Sequence, residues 1–435
     1  MLAERALSIG TRVLNKNYLS GDVGADVDML PAAEPDKMYM LYVHIPFCRQ
    51  LCTYCSFNRF YFKEDRTRAY FVSLRRELEM VKELDYRFGA MYIGGGTPTV
   101  LLDELCDIID YAKQLFPDIK DVSTETNPAD LGDELFDALM PRVARLSVGV
   151  QSFDNDLLQQ MSRIKTTGTA EDTLAAVQST QGKFDSFNVD MIFNFPSQTF
   201  AMLQRDLELV KQTGCNQTTF YPLLASPLRR KQMAQAVGAV DYSREYEMYK
   251  MICDDLYGAG FVGSSAWTFS ACKDMIIDEY IVDFPEYVGI GSGAMSYLRG
   301  QNYTNTFSLR QYHEAIAKGT MPIATMTQGS KSKVVDMRYY FATKLFGLRL
   351  DKQEFRDRFG VDIARGLPVE MTFMRAAGAF ATDDDKELTL TAKGRYLTLV
   401  MMRETLAGSN DHRDQMRAEL DPAEHKELLD EESNS

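Results

Sequence analysis

The chain has 435 residues, with 48 Lys and Arg against 62 Asp and Glu and a formal net charge of −14. That length allows one large domain plus an accessory one, and the acidic balance argues against a nucleic-acid partner, which favours basic surfaces. Seven cysteines divide into one dense group and four scattered residues, Cys106, Cys215, Cys253 and Cys272. This pattern excludes a disulfide framework and fits a reducing cytosol.

In chain order, no signal peptide opens the sequence, and no run reaches the roughly 18–20 apolar residues of a membrane span. The expected location is cytoplasmic. Residues 2–19 predict an amphipathic helix with Leu2, Ala6, Ile9 and Val13 on one side. Such a helix either packs on the protein or lies at the inner face of the membrane as a weak peripheral contact. Residues 20–35 read as an acidic, irregular linker, so 1–35 form an N-terminal unit.

Met40–Ile45 predicts a short buried strand ended by Pro46. Cys48, Cys52 and Cys55 follow with C-x3-C-x2-C spacing. Three soft thiolates suit an iron–sulfur cluster that keeps one iron open to a small molecule. A structural zinc site needs a fourth ligand; His44 could supply it, and spacing alone leaves that reading open. Residues 66–87 then predict an amphipathic helix with Tyr70, Leu74, Leu78 and Val81 on its buried face. Strand, loop and helix form the first unit of an α/β barrel, whose ligands lie at the C-terminal ends of the strands.

The next strands repeat that design. Gly94-Gly95-Gly96 permits close backbone approach, or simply makes a tight loop; no Gly-Lys-Ser/Thr follows, so it is not a phosphate loop. Glu125 stands at the end of residues 121–126, where burial of a charge is costly unless something pairs with it. Ser147, Gly149 and Gln151 share one strand face. Asp190 interrupts an otherwise apolar strand. Residues 218–223 read as another strand, 224–231 as a loop with a small basic cluster, and 243–259 as a helix. After Gly300 come helices near 309–316, 335–347, 352–360 and 368–377. Residues 388–396 resemble the wing and last helix of a winged helix. The domains expected are thus 36–300, an accessory domain at 301–408, and a charged, frayed tail at 409–435.

The text flanking the cysteines, Tyr42-Val43-His44-Ile45-Pro46-Phe47-Cys48 and Tyr54-Cys55-Ser56-Phe57-Asn58, resembles radical S-adenosylmethionine (SAM) enzymes of the oxygen-independent coproporphyrinogen oxidase group. The resemblance runs from about Tyr42 to about Arg299. It implies an α/β fold, a partial TIM-type radical SAM barrel with a small, mostly helical, winged-helix-like C-terminal domain capping its mouth. It makes Cys48, Cys52 and Cys55 the ligands of a [4Fe-4S] cluster, whose open iron binds SAM and whose electron splits SAM into methionine and a 5'-deoxyadenosyl radical. It also implies SAM contacts at Tyr42, Gly94, Gly95, Thr97, Glu125, Gln151, Arg163 and Asp190, with Arg163 on the SAM carboxylate. The segment 289–297 would lie near the adenosine. One departure is Asn194-Phe195-Pro196, where the group carries Gly-Leu-Pro.

The barrel does not select the reaction. Decarboxylation of a porphyrinogen would want several Arg or Lys residues around its propionates. Before the cysteines the chain carries few, Arg5, Arg12, Lys16 and Lys37, and 228–231 is the only compact basic group nearby. Haem binding finds only four histidines. The 23 methionines and 25 phenylalanines suit an apolar path. Within the group the chain most resembles menaquinone C8-methyltransferases, which implies a two-SAM C-methylation. There the deoxyadenosyl radical takes a hydrogen from the methyl of the second SAM, and the methylene radical adds to the ring. Trp267, Phe269 and Tyr297 would stack on the naphthoquinone. The partners expected are a lipophilic quinone and a low-potential electron donor such as flavodoxin or ferredoxin. A coproporphyrinogen oxidase-like enzyme or a haem chaperone is the alternative.

Overall fold

The computed structural model describes residues 2–18, 21–23, 27–273, 275–276, 280–327 and 332–429. Its centre is a run of parallel strands: β1 (Tyr39–Ile45), β2 (Phe88–Gly95), β3 (Asp121–Thr126), β4 (Arg145–Gln151), β5 (Ser186–Phe193) and β6 (Gln217–Pro222). They lie side by side in that order, each parallel to the next. At the β6 edge, β7 (Thr268–Ser270) adds antiparallel. At the β1 edge, β8 (Tyr287–Ile290) adds parallel and then leads into antiparallel strands. The two edges do not pair, so the barrel is partial.

Helices cover the outer face of the parallel run, which is apolar, while its inward face carries polar residues such as Ser147, Asn188 and Asp190. Leu41, Val43, Ile45, Ile93, Leu146 and Val189 share one core with Tyr70, Leu74 and Leu78 of the helix Glu64–Lys82. Each such Leu, Ile or Val contributes about 1.5–3 kcal/mol by leaving water. The predicted 66–87 helix ends early, at Lys82, because Asp85 turns into the left-handed region (φ 61°). The expected loop at 224–231 contains a helix, Pro227–Ala236. Ser226 caps it by accepting from the Arg229 amide, and Pro227 occupies the first turn.

The accessory domain has its own core of Phe341, Leu350, Phe355, Met371 and Leu388. A three-stranded antiparallel sheet, Arg349–Asp351, Glu387–Leu390 and Phe380–Asp383, lies among helices Lys333–Phe346, Lys352–Phe359 and Pro368–Ala376. The mixed α/β core and distinct helical C-terminal region are the architecture expected.

The boundary at 408 is not. One helix of 27 residues, Ala392–Ala418, runs through it, and Pro422–Leu429 follows. The charged stretch 409–418 looks like a tail but is partly buried: Asn410, Met416 and Arg417 are inaccessible.

The N-terminal helix Leu2–Tyr18 packs against Ala392–Ala418. Ala3 and Leu7 join the accessory core, while Ser8 and Arg12 donate to Glu404 at 3.0 and 2.6 Å. Glu404 also accepts from Arg403, which pairs with buried Glu245. Ile9 and Val13 point to solvent, 62% and 57% exposed. The side chain of Leu2, part of the linker and residues 430–435 lie outside the described residues. Among those described, no helix is long and apolar enough to cross a membrane.

Candidate active site

The C-terminal ends of β1 to β6 open into one cavity of about 330 Å3. Cys48, Cys52 and Cys55 line it together with Gly95, Thr97, Glu125, Gln151, Arg163 and Asp190. Residues separated by more than 140 positions thus meet because the parallel units place each strand end at the same rim.

The cysteine loop is held at both ends. Phe47–Cys48 pairs with Phe60–Tyr61, and Arg59 donates to the carbonyls of Cys52 and Cys55 at 2.7 and 3.2 Å. Burial pushes the Cys48 thiol up to about 12, so a thiolate there needs a cation or a metal. Thr97 donates its hydroxyl to Cys48 Sγ at 3.7 Å, and Arg163 Nη1 approaches Cys52 Sγ at 3.5 Å. Burial works against the charge of Arg59, yet Cys55, Cys52 and Cys48 together outweigh it and hold its pKa above the ordinary value.

His44 is not a fourth ligand. It is buried, its Nε2 donates to the Asn58 carbonyl at 2.9 Å, and its Nδ1 accepts from the Tyr42 hydroxyl at 2.8 Å. Burial drives its pKa down to about 4, which keeps the ring neutral. The zinc reading therefore falls. Three thiols on one cavity wall, flanked by arginines, fit a [4Fe-4S] cluster with an open iron.

Glu125 accepts from the Tyr92 hydroxyl at 2.7 Å and from the Gly95 amide at 3.3 Å. Asp190 accepts from Ser147 at 2.7 Å and Asn188 at 2.6 Å. Arg163 donates to Asn127 at 2.7 Å and to the Gly149 carbonyl, and its buried Nε has no acceptor among the described residues. Gln151 sits at a β-bulge against β5 with φ 75°, a left-handed conformation that bulky residues adopt only under constraint. Gly95, at φ 119°, lies so close to the His44 ring that a Cβ would come within 2.6 Å. These groups offer a carboxylate pair, an amide and a guanidinium to a ligand carrying hydroxyl, ammonium and carboxylate groups.

Tyr42 and Gly94 stand just behind the lining. Tyr42 stacks on Tyr92 and Tyr280, and Gly94 backs onto the Glu125 carboxylate. Three other residues expected at the ligand are elsewhere. Trp267, Phe269 and Tyr297 belong to the buried core, against Phe346, Tyr257 and Tyr339 respectively. The segment 289–297 is also packed on protein. Gly291 lies against the His44 carbonyl and the Tyr70 hydroxyl, and its amide donates to buried Glu77 at 2.8 Å. Asn194 does not line the cavity; it takes the left-handed φ of 62° that asparagine tolerates, and pairs with Arg244 and the Asp241 carbonyl.

Several cavity residues escaped sequence reading. Arg59 and Asn127 lie within a few positions of recognised residues. Leu406 comes from the end of the expected accessory domain, and Asn410 and Arg413 from the supposed tail. Their only signal is the spacing of one helix face, which Arg417 continues. Arg417 donates to the carbonyls of Ser56 and Phe57, and Asn410 to that of Leu224.

The fold and the cysteine-lined cavity resemble those of radical SAM proteins. The Radical SAM superfamily matches residues 42–210. Coproporphyrinogen III oxidase from Escherichia coli superposes with a TM-score of 0.72 at 20% identity, over 90% of this chain and 98% of that one. Heme chaperone HemW of Bacillus subtilis is 24% identical over 83% of this chain and 97% of its own length. Oxygen-independent coproporphyrinogen III oxidase of Cereibacter sphaeroides is 27% identical over 88% and 90% respectively. Anaerobilin synthase of Escherichia coli O157:H7 is 26% identical over 70% and 71%.

Over most of its length the chain is similar to coproporphyrinogen oxidases and heme chaperones, and the radical SAM match over residues 42–210 implies a [4Fe-4S] cluster and SAM as cofactors. The expectation of menaquinone C8-methylation is overturned, because relatives spanning most of the chain are heme chaperones and porphyrinogen oxidases. The sequence argument against porphyrins failed for a physical reason. It counted arginines near the cysteines in sequence, whereas the last helix brings Arg413 and Arg417 to the same loop in space.

Proposed function

We propose that the protein carries out SAM-dependent radical chemistry on a carboxylate-bearing tetrapyrrole. The observation that carries this reading is Arg413, which lines one space with the three cysteines and pairs with no carboxylate among the described residues. The near full-length similarity to heme and porphyrin proteins supports the same substrate class.

When bound, the cluster and SAM supply a 5'-deoxyadenosyl radical on one-electron reduction by a low-potential donor of the flavodoxin or ferredoxin class. The chain's residues do the positioning. Cys48, Cys52 and Cys55 hold the cluster. Arg163, fixed by Asn127 and Gly149, would face the SAM carboxylate, while Glu125, Gln151 and Asp190 would orient its polar groups. Ile192, Tyr221, Pro222, Leu224 and Leu406 supply apolar wall, which limits water at the site and favours a fixed geometry over diffusion.

The test is an anaerobic assay with reconstituted protein, SAM, a reductant and one tetrapyrrole at a time, a porphyrinogen or haem. The expected result is tetrapyrrole binding by absorbance, more 5'-deoxyadenosine than without it, and a change in tetrapyrrole mass. Binding without turnover would assign carriage rather than catalysis. Neither binding nor any effect on SAM cleavage would overturn the reading.

A further inference from the structure

Four arginines line the cavity, and three of them are already committed. Arg49 pairs with Asp130 and donates to the Val100 carbonyl. Arg59 donates to two carbonyls of the cysteine loop. Arg163 is used by Asn127, Gly149 and the Cys52 sulfur. Arg413 differs. Its Nη1 donates to Asn410 Oδ1 at 2.6 Å, and among the described residues no carboxylate or carbonyl accepts from its remaining nitrogens. Its guanidinium lies over the Phe57 ring at 4.6 Å, which fixes the plane of the fork. The titratable groups that act on its charge are Tyr42, Cys55, Tyr287 and Tyr280, none of them a carboxylate.

A cation in such a place is costly unless an anion joins it. Its helical neighbour Arg417 shows the contrast. One turn further on, it has Asp414 at 2.9 Å and the carbonyls of Ser56 and Phe57. Arg417 therefore locks the helix to the cysteine loop, and Asn410 locks it to Leu224. Arg413 sits between these two anchors with its fork free and its plane set. Guanidinium forks in this state bind carboxylates bidentately.

We infer that Arg413 is a specificity-determining residue that receives a carboxylate of the substrate, held above the cysteine loop by the anchored helix. This rests on the proposed tetrapyrrole reading for the identity of the carboxylate's bearer. The other carboxylate that could reach the cavity is that of SAM, and the experiment separates the two.

Binding of a carboxylate-bearing porphyrin and of its methyl ester is titrated by absorbance on reconstituted wild type, Arg413→Gln and Arg413→Lys. Iron content and thermal transition check that the variants fold. SAM binding is measured in parallel. In the wild type the free acid should bind at least tenfold more tightly than the ester. In Arg413→Gln that preference should collapse toward unity, with the ester unaffected. Arg413→Lys should recover part of it. A preserved preference in Arg413→Gln overturns the inference, and so does a loss confined to SAM affinity. A second arm measures modification of Arg413 by phenylglyoxal, by mass spectrometry, with and without an aromatic polycarboxylate. If wild type binds no tetrapyrrole but the polycarboxylate protects Arg413, the carboxylate receptor stands and the tetrapyrrole reading falls. If neither occurs, both fall. If Arg413→Gln does not fold, protection in the wild type decides alone.

Discussion

The strand ends of β2 to β5 and the helix Ala392–Ala418 face the same cavity but are fixed in opposite ways. On the strands each polar residue is held by its sheet neighbours: Glu125 by Tyr92 and Gly95, Asp190 by Ser147 and Asn188. On the helix, Asn410 and Arg417 are held by backbone carbonyls of Leu224, Ser56 and Phe57, far away in sequence. The barrel builds the cofactor end of the cavity locally. The last helix closes the cysteine loop from a distance, so its position reports on the packing of the whole chain.

The largest effect should come from the barrel side. Cys52→Ala removes a cluster ligand and should abolish 5'-deoxyadenosine formation, read by iron analysis and product assay. Retained SAM cleavage would break the assignment. On the helix side, Arg417→Ala leaves two carbonyls without a charged donor and should cost about 3 kcal/mol. Thermal unfolding would show this, accompanied by faster iron loss. Wild-type behaviour would mean that the helix merely rests on the loop.

Glu77, on the helix Glu64–Lys82, tests the packing of the segment after β8 beside these two regions. It is buried and accepts from Tyr312, Gly291 and Asn305, and burial raises its pKa to about 7. A carboxyl whose folded pKa is raised contributes stability below its unfolded pKa that is lost as pH rises through the folded one. The loss should fall between about pH 4.5 and pH 7 and be on the order of 3 kcal/mol. Glu77→Gln should flatten the dependence of Tm on pH in that window; an unchanged slope would show that other groups control it. A smaller effect is expected at Gln151. Gln151→Gly relieves the left-handed backbone and should stabilise by about 1 kcal/mol, while weakening SAM binding in an equilibrium titration. A loss of stability would mean that the side chain's contacts outweigh the strain.

The contrast also explains what the amino-acid sequence disclosed. The cysteine spacing and the polar strand ends were readable because parallel units repeat and polar residues interrupt apolar runs at one rim. Trp267, Phe269 and Tyr297 were misread because an aromatic ring that packs a core has the same composition as one that stacks on a ligand. The glycines at 289–293 did signal close approach, but the approaching group is the chain itself, at His44 and Tyr70. Residues 409–418 were hidden because charge is normally a sign of exposure. Here buried charges satisfy backbone carbonyls, and the only trace is a helical spacing that a solvated face shares.

The N-terminal helix gives the smallest effect and the sharpest test of exposure. Its inward face is fixed by Ala3, Leu7 and the pairs with Glu404, whereas Ile9 and Val13 touch solvent. Deleting the segment would therefore confuse two roles, since it would also strip Glu404 of Arg12. Point substitution separates them. Ile9→Ser with Val13→Ser should change stability by no more than about 0.5 kcal/mol, as exposed positions do. Glu404→Gln, by contrast, should cost several times that, because Arg12 and Arg403 lose their shared anion. Liposome flotation of the double variant then reads the outer face alone. We propose a weak lipid contact there, limited by the net charge of −14, so flotation should drop while Tm holds. Equal flotation of variant and wild type would leave this face as ordinary solvent-exposed surface.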